Sequence, residues 1–328
     1  MAEPIARPVP FLPFAKFCFH LKVTSLMILP SYKGAIFRGA FGNALKKAVC
    51  LSPGTECLQC LICDRCIYVA IFDPFPRSGH AAALKFRKAP RPYILNPPLT
   101  TRQAFHPGDP MTFELVLVGP AIDALPYFLF IFKELGHRGL GPEKGKYELI
   151  QVNLLKNCKA SPVYDDKDHS LTPFTPDQGP LVHPDDEQVN TVTLRFFTPL
   201  RMKAKGRLVT GLTFPLFFEQ LAHRLLLLAT FYGNNDYLPD FQPWLTLSEA
   251  VIVQQHNMHW YEWRRYSRRQ EASMNFGGLL GSVTFTGPMG PFLPFLRLGE
   301  VVHVGQATTF GLGKFRLENE AKHEGISS

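Results

Sequence analysis

The stretches "GLGPEKGKYEL" (residues 139–149) and "GLGKFRL" (residues 311–317) occupy matching places in two halves of one chain. Each follows an apolar segment with helical spacing, and each feeds a strand that begins with Lys and an aromatic residue. One such ending per half predicts a single supersecondary unit used twice, in the order strand–helix–strand–strand–helix–strand, the ferredoxin-like arrangement. The plainer alternative is a glycine cap between helix and strand that recurs by chance.

Working outward, "FAKFCFHLKV" (14–23) alternates like a strand, and "GAIFRGAFGNALKKAV" (34–49) switches to helical spacing, with Ile36, Phe37, Ala40, Phe41, Ala44, Leu45 and Ala48 as its stripe. "MTFELVLVG" (111–119) reads as a strand, "DALPYFLFIFKELG" (123–136) as a buried helix and "KYELIQVNLL" (146–155) as a strand. In the second half "TVTLRFFTPLRMK" (191–203) is a strand, and "FPLFFEQLAHRLLLLATFYG" (214–233) is a helix with Pro215 in its first turn. "EAVIVQQHNMHWYEW" (249–263) and "GLLGSVTFTG" (278–287) look like paired strands. "PFLPFLRLGEVVHVG" (291–305) reads as a helix with an early break at Pro294, and "KFRLE" closes the fold. The expected class is α+β. Its expected domains are residues 11–156, with a cysteine-rich insertion at 50–66, and residues 188–320. Residues 157–187, rich in Pro, Asp, Thr and Gly without periodicity, read as a linker or an excursion.

At 328 residues the chain exceeds the usual single-domain size. Its 46% hydrophobic content and mean hydropathy of −0.02 exclude a disordered chain. A formal net charge of +8 and a pI near 9.1 point to a polyanion or an acidic surface as partner. The most apolar run, "LLLLATFYG" (225–233), follows Glu219, Gln220, His223 and Arg224, so it reads as a half-buried helix and no membrane span is expected. The start, "MAEPIARPVPFLPF", lacks the basic-then-apolar order of a signal peptide. A cytoplasmic location is therefore expected, and with it free thiols rather than disulfides.

"CLSPGTECLQCLICDRC" (50–66) gathers Cys50, Cys57, Cys60, Cys63 and Cys66, four of them at intervals of three. Such spacing suits a tetrahedral zinc site of structural kind. An iron–sulfur cluster is the rival, although the C-x3-C-P ending of ferredoxins is missing. Five thiols compete for four places, and spacing alone does not choose among them. Cys18 and Cys158 read as isolated thiols.

Arg195, Arg201, Lys203, Lys205 and Arg207 all fall at odd positions, so an extended 195–207 would carry a ladder of positive charge on one face. "RRYSRR" (264–269) adds Arg264, Arg265, Arg268 and Arg269 around Tyr266, beside Trp260 and Trp263. Arginine interleaved with aromatics suits stacking and phosphate contact together.

Five motifs now stand in order: "GAIFRGAFGNALKKAVC" (34–50), the spaced cysteines with "YVAIFDP" (68–74), "GHRGLGPEKGKYEL" (136–149), "WRRYSRRQEASMNFGGLLGSVTF" (263–285) and "PFLPFLRLGEVVHVGQATTFGLGKF" (291–315). On them the chain resembles the CRISPR-associated endoribonucleases of the RAMP superfamily that process precursor CRISPR RNA. The resemblance implies two tandem ferredoxin-like (RRM-like) domains and a glycine-rich loop near the C-terminus that contacts RNA. It also implies metal-independent cleavage by 2′-hydroxyl attack, leaving a 2′,3′-cyclic phosphate and a 5′-hydroxyl. Repeat RNA is the implied partner, with other subunits of a CRISPR effector complex as further ones. The family's cysteine pattern matches Cys50, Cys57, Cys60 and Cys66, which leaves Cys63 as the extra thiol.

With that resemblance, the loop at 305–313 is expected on RNA. Gly305, Gly311 and Gly313 would open backbone N–H groups to phosphate, and Thr308, Thr309 and Lys314 would add hydroxyls and charge. Phe310 would stack on a base, a contact worth about 1–3 kcal/mol. Without the resemblance, a flexible connection is the simpler reading.

Cleavage of this kind needs a base at the 2′-hydroxyl, an acid at the leaving 5′-oxygen and positive charge at the phosphate. Many relatives place a histidine on or just after the first helix, and this chain has none within 34–49. Lys46, sharing a helix face with Gly42 and Arg38, is one expected substitute, and Arg38 joins it as a source of charge. His256 and His259 are three apart, so on a strand they point to opposite faces; His259, nearer the Trp/Arg cluster, is the preferred acid or base. His20 reads as a core-edge residue and His223 as a solvated one. The missing helix histidine also motivates a second reading, a catalytically inactive RAMP subunit that holds RNA in an effector complex.

Overall fold

A computed structural model of the chain describes residues 11–76, 86, 88–179, 184–233, 240–267 and 272–318. It divides into two compact units, one holding Leu12–Gln178 with Thr230–Gly233, the other Gly179–Ala229 and the described residues beyond.

In the first unit, β1 (Leu12–Val23) buries Phe17, Phe19, Leu21 and Val23, while Lys16, Cys18, His20 and Lys22 take the other face. A short β2 (Met27–Ile28) leads into α1 (Gly34–Val49), whose boundaries are those its periodicity predicts. Beyond the cysteine insertion come α2 (Ile67–Ile71), β3 (Tyr93–Asn96), β4 (Ala104–Phe105), β5 (Pro110–Val118), α3 (Leu125–Arg138) and β6 (Tyr147–Lys156). The strands line up as β3-β5-β1-β6, antiparallel throughout. Rings from α1 and α3 fill the space over one face, with Phe41 stacked 4.3 Å from Phe128 and Phe132 4.5 Å from Phe113. Burying side chains of this size contributes on the order of 2–3 kcal/mol each.

The stretch expected as a linker or excursion first continues the same sheet. β7 (Lys159–Asp165) pairs with β6, β8 (Ser170–Leu171) with β7, and β9 (Asp177–Gly179) with β1. Its far end, Pro184–Gln188, is a 3-10 turn in the second unit, where Asp186 accepts two hydrogen bonds from Arg297 at 2.5 and 2.7 Å.

The second unit repeats the plan with β10 (Thr191–Leu200), β11 (Lys203–Ala204), β12 (Arg207–Leu208), α4 (Phe214–Tyr232), α5 (Gln242–Ser248), β13 (Ile252–Ser267), β14 (Ala272–Thr286), α6 (Leu293–Val302) and β15 (Phe315–Glu318). Its main sheet runs β13-β14-β10-β15, again antiparallel. Counted from the first strand of each copy, both sheets read second, third, first, fourth, which is the ferredoxin-like order used twice. Gly139, Gly141, Gly311 and Gly313 of the two GLG stretches all have positive φ, but Gly139 (ψ 149°) and Gly311 (ψ 9°) send the chain along different paths. Phe292 lies 4.8 Å by ring centroid from both Phe214 and Phe218 of α4, and the three rings anchor the second core.

Two expectations are corrected. Pro294 does not break a helix; it stands in the first turn of α6, where no backbone N–H is needed, after a 3-10 turn at Gly290–Phe292. The strand expected over 191–203 ends at Leu200. No helix among the described residues is long and apolar enough to cross a membrane.

Candidate nucleic-acid interface

Where β10 ends, the chain turns at Arg201, and this residue ties three segments together. Its backbone oxygen accepts the N–H of Gln306 at 2.8 Å, and its Nη1 donates to the carbonyl of Gly277 at 2.8 Å. Gly277 lies under the indole of Trp260, with no room for a Cβ between them. Arg201, the start of the glycine loop at Gly305–Gln306 and the base of the β13–β14 hairpin therefore meet in one place. Sequence reading had named Arg201 and Gly305 separately. It missed the position of Trp260, which leans diagonally from its own cross-strand partner Leu279 onto Gly277.

The basic strip is not a ladder. Arg195 stands on the face of β10, bonded to Glu318 of β15 at 2.5 Å. Arg201 sits at the turn just described. Lys203, Lys205 and Arg207 belong to a small hairpin in which Lys203 pairs with Leu208 and Ala204 with Arg207. Lys205 (φ 49°) and Gly206 (φ 80°) form its tip, the pair of left-handed residues that a two-residue hairpin turn requires. All three cations are exposed, and no acidic residue occurs between Arg201 and Thr213. Arg316, across from Arg195 on β15, lies 5.5 Å from the half-exposed ring of Phe197.

The glycine loop is packed rather than open. Thr308, Thr309 and Phe310 are 5%, 8% and 8% exposed and form a single 3-10 turn. The N–H groups of Phe310, Gly311 and Gly313 donate to Ala307, Thr308 and Pro199 carbonyls, and Lys314 N–H donates to the Thr198 hydroxyl. That hydroxyl in turn donates to Gly311 at 2.7 Å. The expected stacking role for Phe310 and the expected open amides at 311 and 313 are corrected accordingly: the ring is core, and the amides serve the loop's own closure.

His256 pairs with Val283 and His259 with Leu280, so the two histidines take opposite faces of β13, as their spacing predicts. Both are exposed. His259 shares its face with Asn257 and Tyr261, not with Trp260. Arg265 is placed on β13 opposite Met274, while Arg268 and Arg269 lie outside the described residues.

In the first unit, Arg38, Gly42 and Lys46 do share a face of α1, but that face is covered. The Arg38 guanidinium lies 4.1 Å from the Phe72 ring, Phe72 fills the notch at Gly42, and Lys46 Nζ sits 5.5 Å from the Tyr68 ring. Burial holds Arg38 below the usual guanidinium range, and burial of Tyr93 beside it pushes that phenol up to about 12. The pair Arg38 and Lys46 is half-buried against these rings. Its geometry fastens α1 to the segment after the cysteines.

Those cysteines line one small hollow: Cys50, Cys57, Cys60, Cys63 and Cys66, with Ser52, Thr55 and Tyr68. Cys57–Gln59 and Cys63–Arg65 are matching 3-10 turns, each closed by an N–H donated from the next cysteine at 3.3 Å. Burial raises the Cys57 thiol, opposed by the charge of Lys46. Among the described residues no three His, Cys, Asp or Glu side chains are gathered to hold a metal ion. Thiols in this number are a donor set of the kind that suits zinc.

Two family models match the chain, AF_1859_N (N-terminal domain) over residues 12–176 and CRISPR-associated endoribonuclease Cas6 over residues 194–315. An uncharacterized protein of Archaeoglobus fulgidus is 24% identical over 294 residues, covering 89% of this chain and 93% of its own. Among solved structures, a partial Cas6-RT-Cas1–Cas2 complex matches with TM-score 0.56 and 17% identity over 98% of this chain; the chain spans 48% of that relative's length. A Cas6 product complex matches with TM-score 0.54 and 17% identity, covering 93% of this chain and 100% of that one. Thermus thermophilus Cas6 matches with TM-score 0.50 and 15% identity, covering 94% and 99%. The twice-used ferredoxin-like order and these matches agree: the chain shares the fold of the Cas6 structures, its residues 194–315 match the model of the CRISPR-associated endoribonuclease Cas6, and by its first half it belongs to the AF_1859_N family.

Proposed function

We propose that this chain cleaves precursor CRISPR RNA at its repeats without a metal ion. The observation that carries the reading is the Arg201 junction: an acid-free cationic hairpin, a half-exposed indole and the glycine loop meet within the Cas6-family domain. Such a surface offers phosphate contacts and a stacking face together. In the reaction, the 2′-hydroxyl gives its proton to a base and O2′ bonds to phosphorus. The P–O5′ bond breaks, and O5′ takes up a proton. Of the expected groups, His259 is exposed and free to move a proton, whereas Arg38 and Lys46 lie against rings.

A structural zinc held by Cys50, Cys57, Cys60 and Cys66 is part of the proposal, supported by the single hollow that the thiols line. It would tie the end of α1 to α2 and take no part in cleavage. Partner proteins of the CRISPR system are proposed by likeness to the Cas6-RT-Cas1–Cas2 assembly.

The test is the purified full chain incubated in EDTA with repeat RNA from the array of its own genome, after elemental analysis of the same preparation. Cut RNA ending in a 2′,3′-cyclic phosphate, from protein carrying about one zinc per chain, is the expected result. Tightly bound but uncut RNA would favour the non-catalytic subunit, which the absence of a histidine on α1 already recommends. Loss of binding would remove both readings.

A further inference from the structure

Trp260 stands at the point where the β13–β14 hairpin leaves the sheet: its cross-strand partner Leu279 is buried, and the pairs beyond it, from Tyr261–Gly278 to Ser267–Ala272, have no partner on β10. On its inner side the indole covers Gly277 so closely that any side chain at 277 would displace it. The carbonyl of Gly277 is itself pinned by Arg201 at 2.8 Å. Although the indole leans inward over β14, Trp260 remains 36% exposed. A large ring is thus seated on a glycine whose carbonyl an arginine holds, and it stays partly exposed.

Aromatic cover of a strand glycine stabilises a hairpin by itself. That role alone does not call for a guanidinium at the same carbonyl or for the acid-free cationic turn that begins at the same residue. An indole offers the widest stacking surface of any side chain. A base laid on it would have its backbone within reach of Arg201 and of the chain running to Lys203. Resting on the RNA-processing reading above, we propose that Trp260 is the stacking platform for one unpaired base of the bound RNA, the role that the sequence suggests for Phe310 and that burial denies to that ring.

The full chain would carry W263F as background, leaving buried Trp244 as a constant emitter and Trp260 as the reporter. Radiolabelled repeat RNA retained on nitrocellulose measures binding independently. The expected result is quenching of tryptophan emission on saturation, with W260A weakening affinity by about tenfold or more and W260F by much less. Gly277→Ala, which pushes the ring off its seat, should weaken binding as W260A does while far-ultraviolet dichroism stays unchanged. If RNA is retained but emission is flat and W260A binds as well as its parent, this inference falls and the RNA reading stands. If no RNA is retained by the parent protein, the RNA reading falls and takes the inference with it.

Discussion

Gly313 has φ 70°, and a Cβ there would run into the carbonyl oxygen of Val304. Left-handed backbone costs an ordinary residue about 1–2 kcal/mol, and forcing atoms into filled space adds about 1–3 kcal/mol. Gly313→Ala is therefore expected to lower unfolding stability by about 3 kcal/mol, measured by urea denaturation. A loss below about 0.5 kcal/mol would mean that the loop relaxes freely and is open after all. The same residue shows where sequence reading stops. A glycine announces an unusual backbone angle or a close approach, and it does not say what approaches. Here the neighbour is the chain itself, so residues read as a phosphate cradle turn out to close a turn. Trp260 is the converse case: its type suggests stacking, but only the folded structure seats it over Gly277, whose carbonyl Arg201 holds.

Among elements, α1, β1, β6, α4 and β15 were legible because one face of each is more buried than the other, and that contrast is what periodicity records. The strand over 191–203 was read too long because the odd spacing of cations continued past Leu200. Periodicity in charge mimics a strand, whereas the buried alternation of β10 stops at 200 and Lys205-Gly206 carries the turn signal. The cover over Arg38 and Lys46 was not legible, because it is supplied by residues 68–72 after an insertion with no periodicity of its own. The β11–β12 hairpin yields a prediction at this scale. Each phosphate contact to a single strand contributes about 0.7 to the slope of log affinity against log salt. Replacing Lys203, Lys205 and Arg207 together by Ala should flatten that slope for repeat RNA by about 2. An unchanged slope would show that the hairpin does not touch phosphate.

Over the whole molecule the two copies of the fold have diverged in opposite directions. Residues 1–178 carry 21 basic against 14 acidic side chains, and residues 179–328 carry 14 against 13. The net charge thus lies in the copy with the cysteine insertion, while the second copy concentrates its cations into a few acid-free segments. The loops at the two GLG stretches differ in the same sense. In the second copy Thr308, Thr309 and Phe310 are buried, whereas in the first Pro142, Glu143, Lys144 and Lys146 are exposed, with His137 and Arg138 beside them. Exposed cations around the first GLG stretch are suited to long-range attraction of a polyanion, and the buried residues before the second are suited to holding the Arg201 junction rigid. Lysine acetylation of the full chain with and without repeat RNA separates these roles. Protection of Lys203 and Lys205 is expected from the second copy, and protection of Lys144 and Lys146 from the first. Protection confined to Lys203 and Lys205 would assign the positive excess of the first copy to solvation alone, and RNA recognition to the Cas6-family domain by itself.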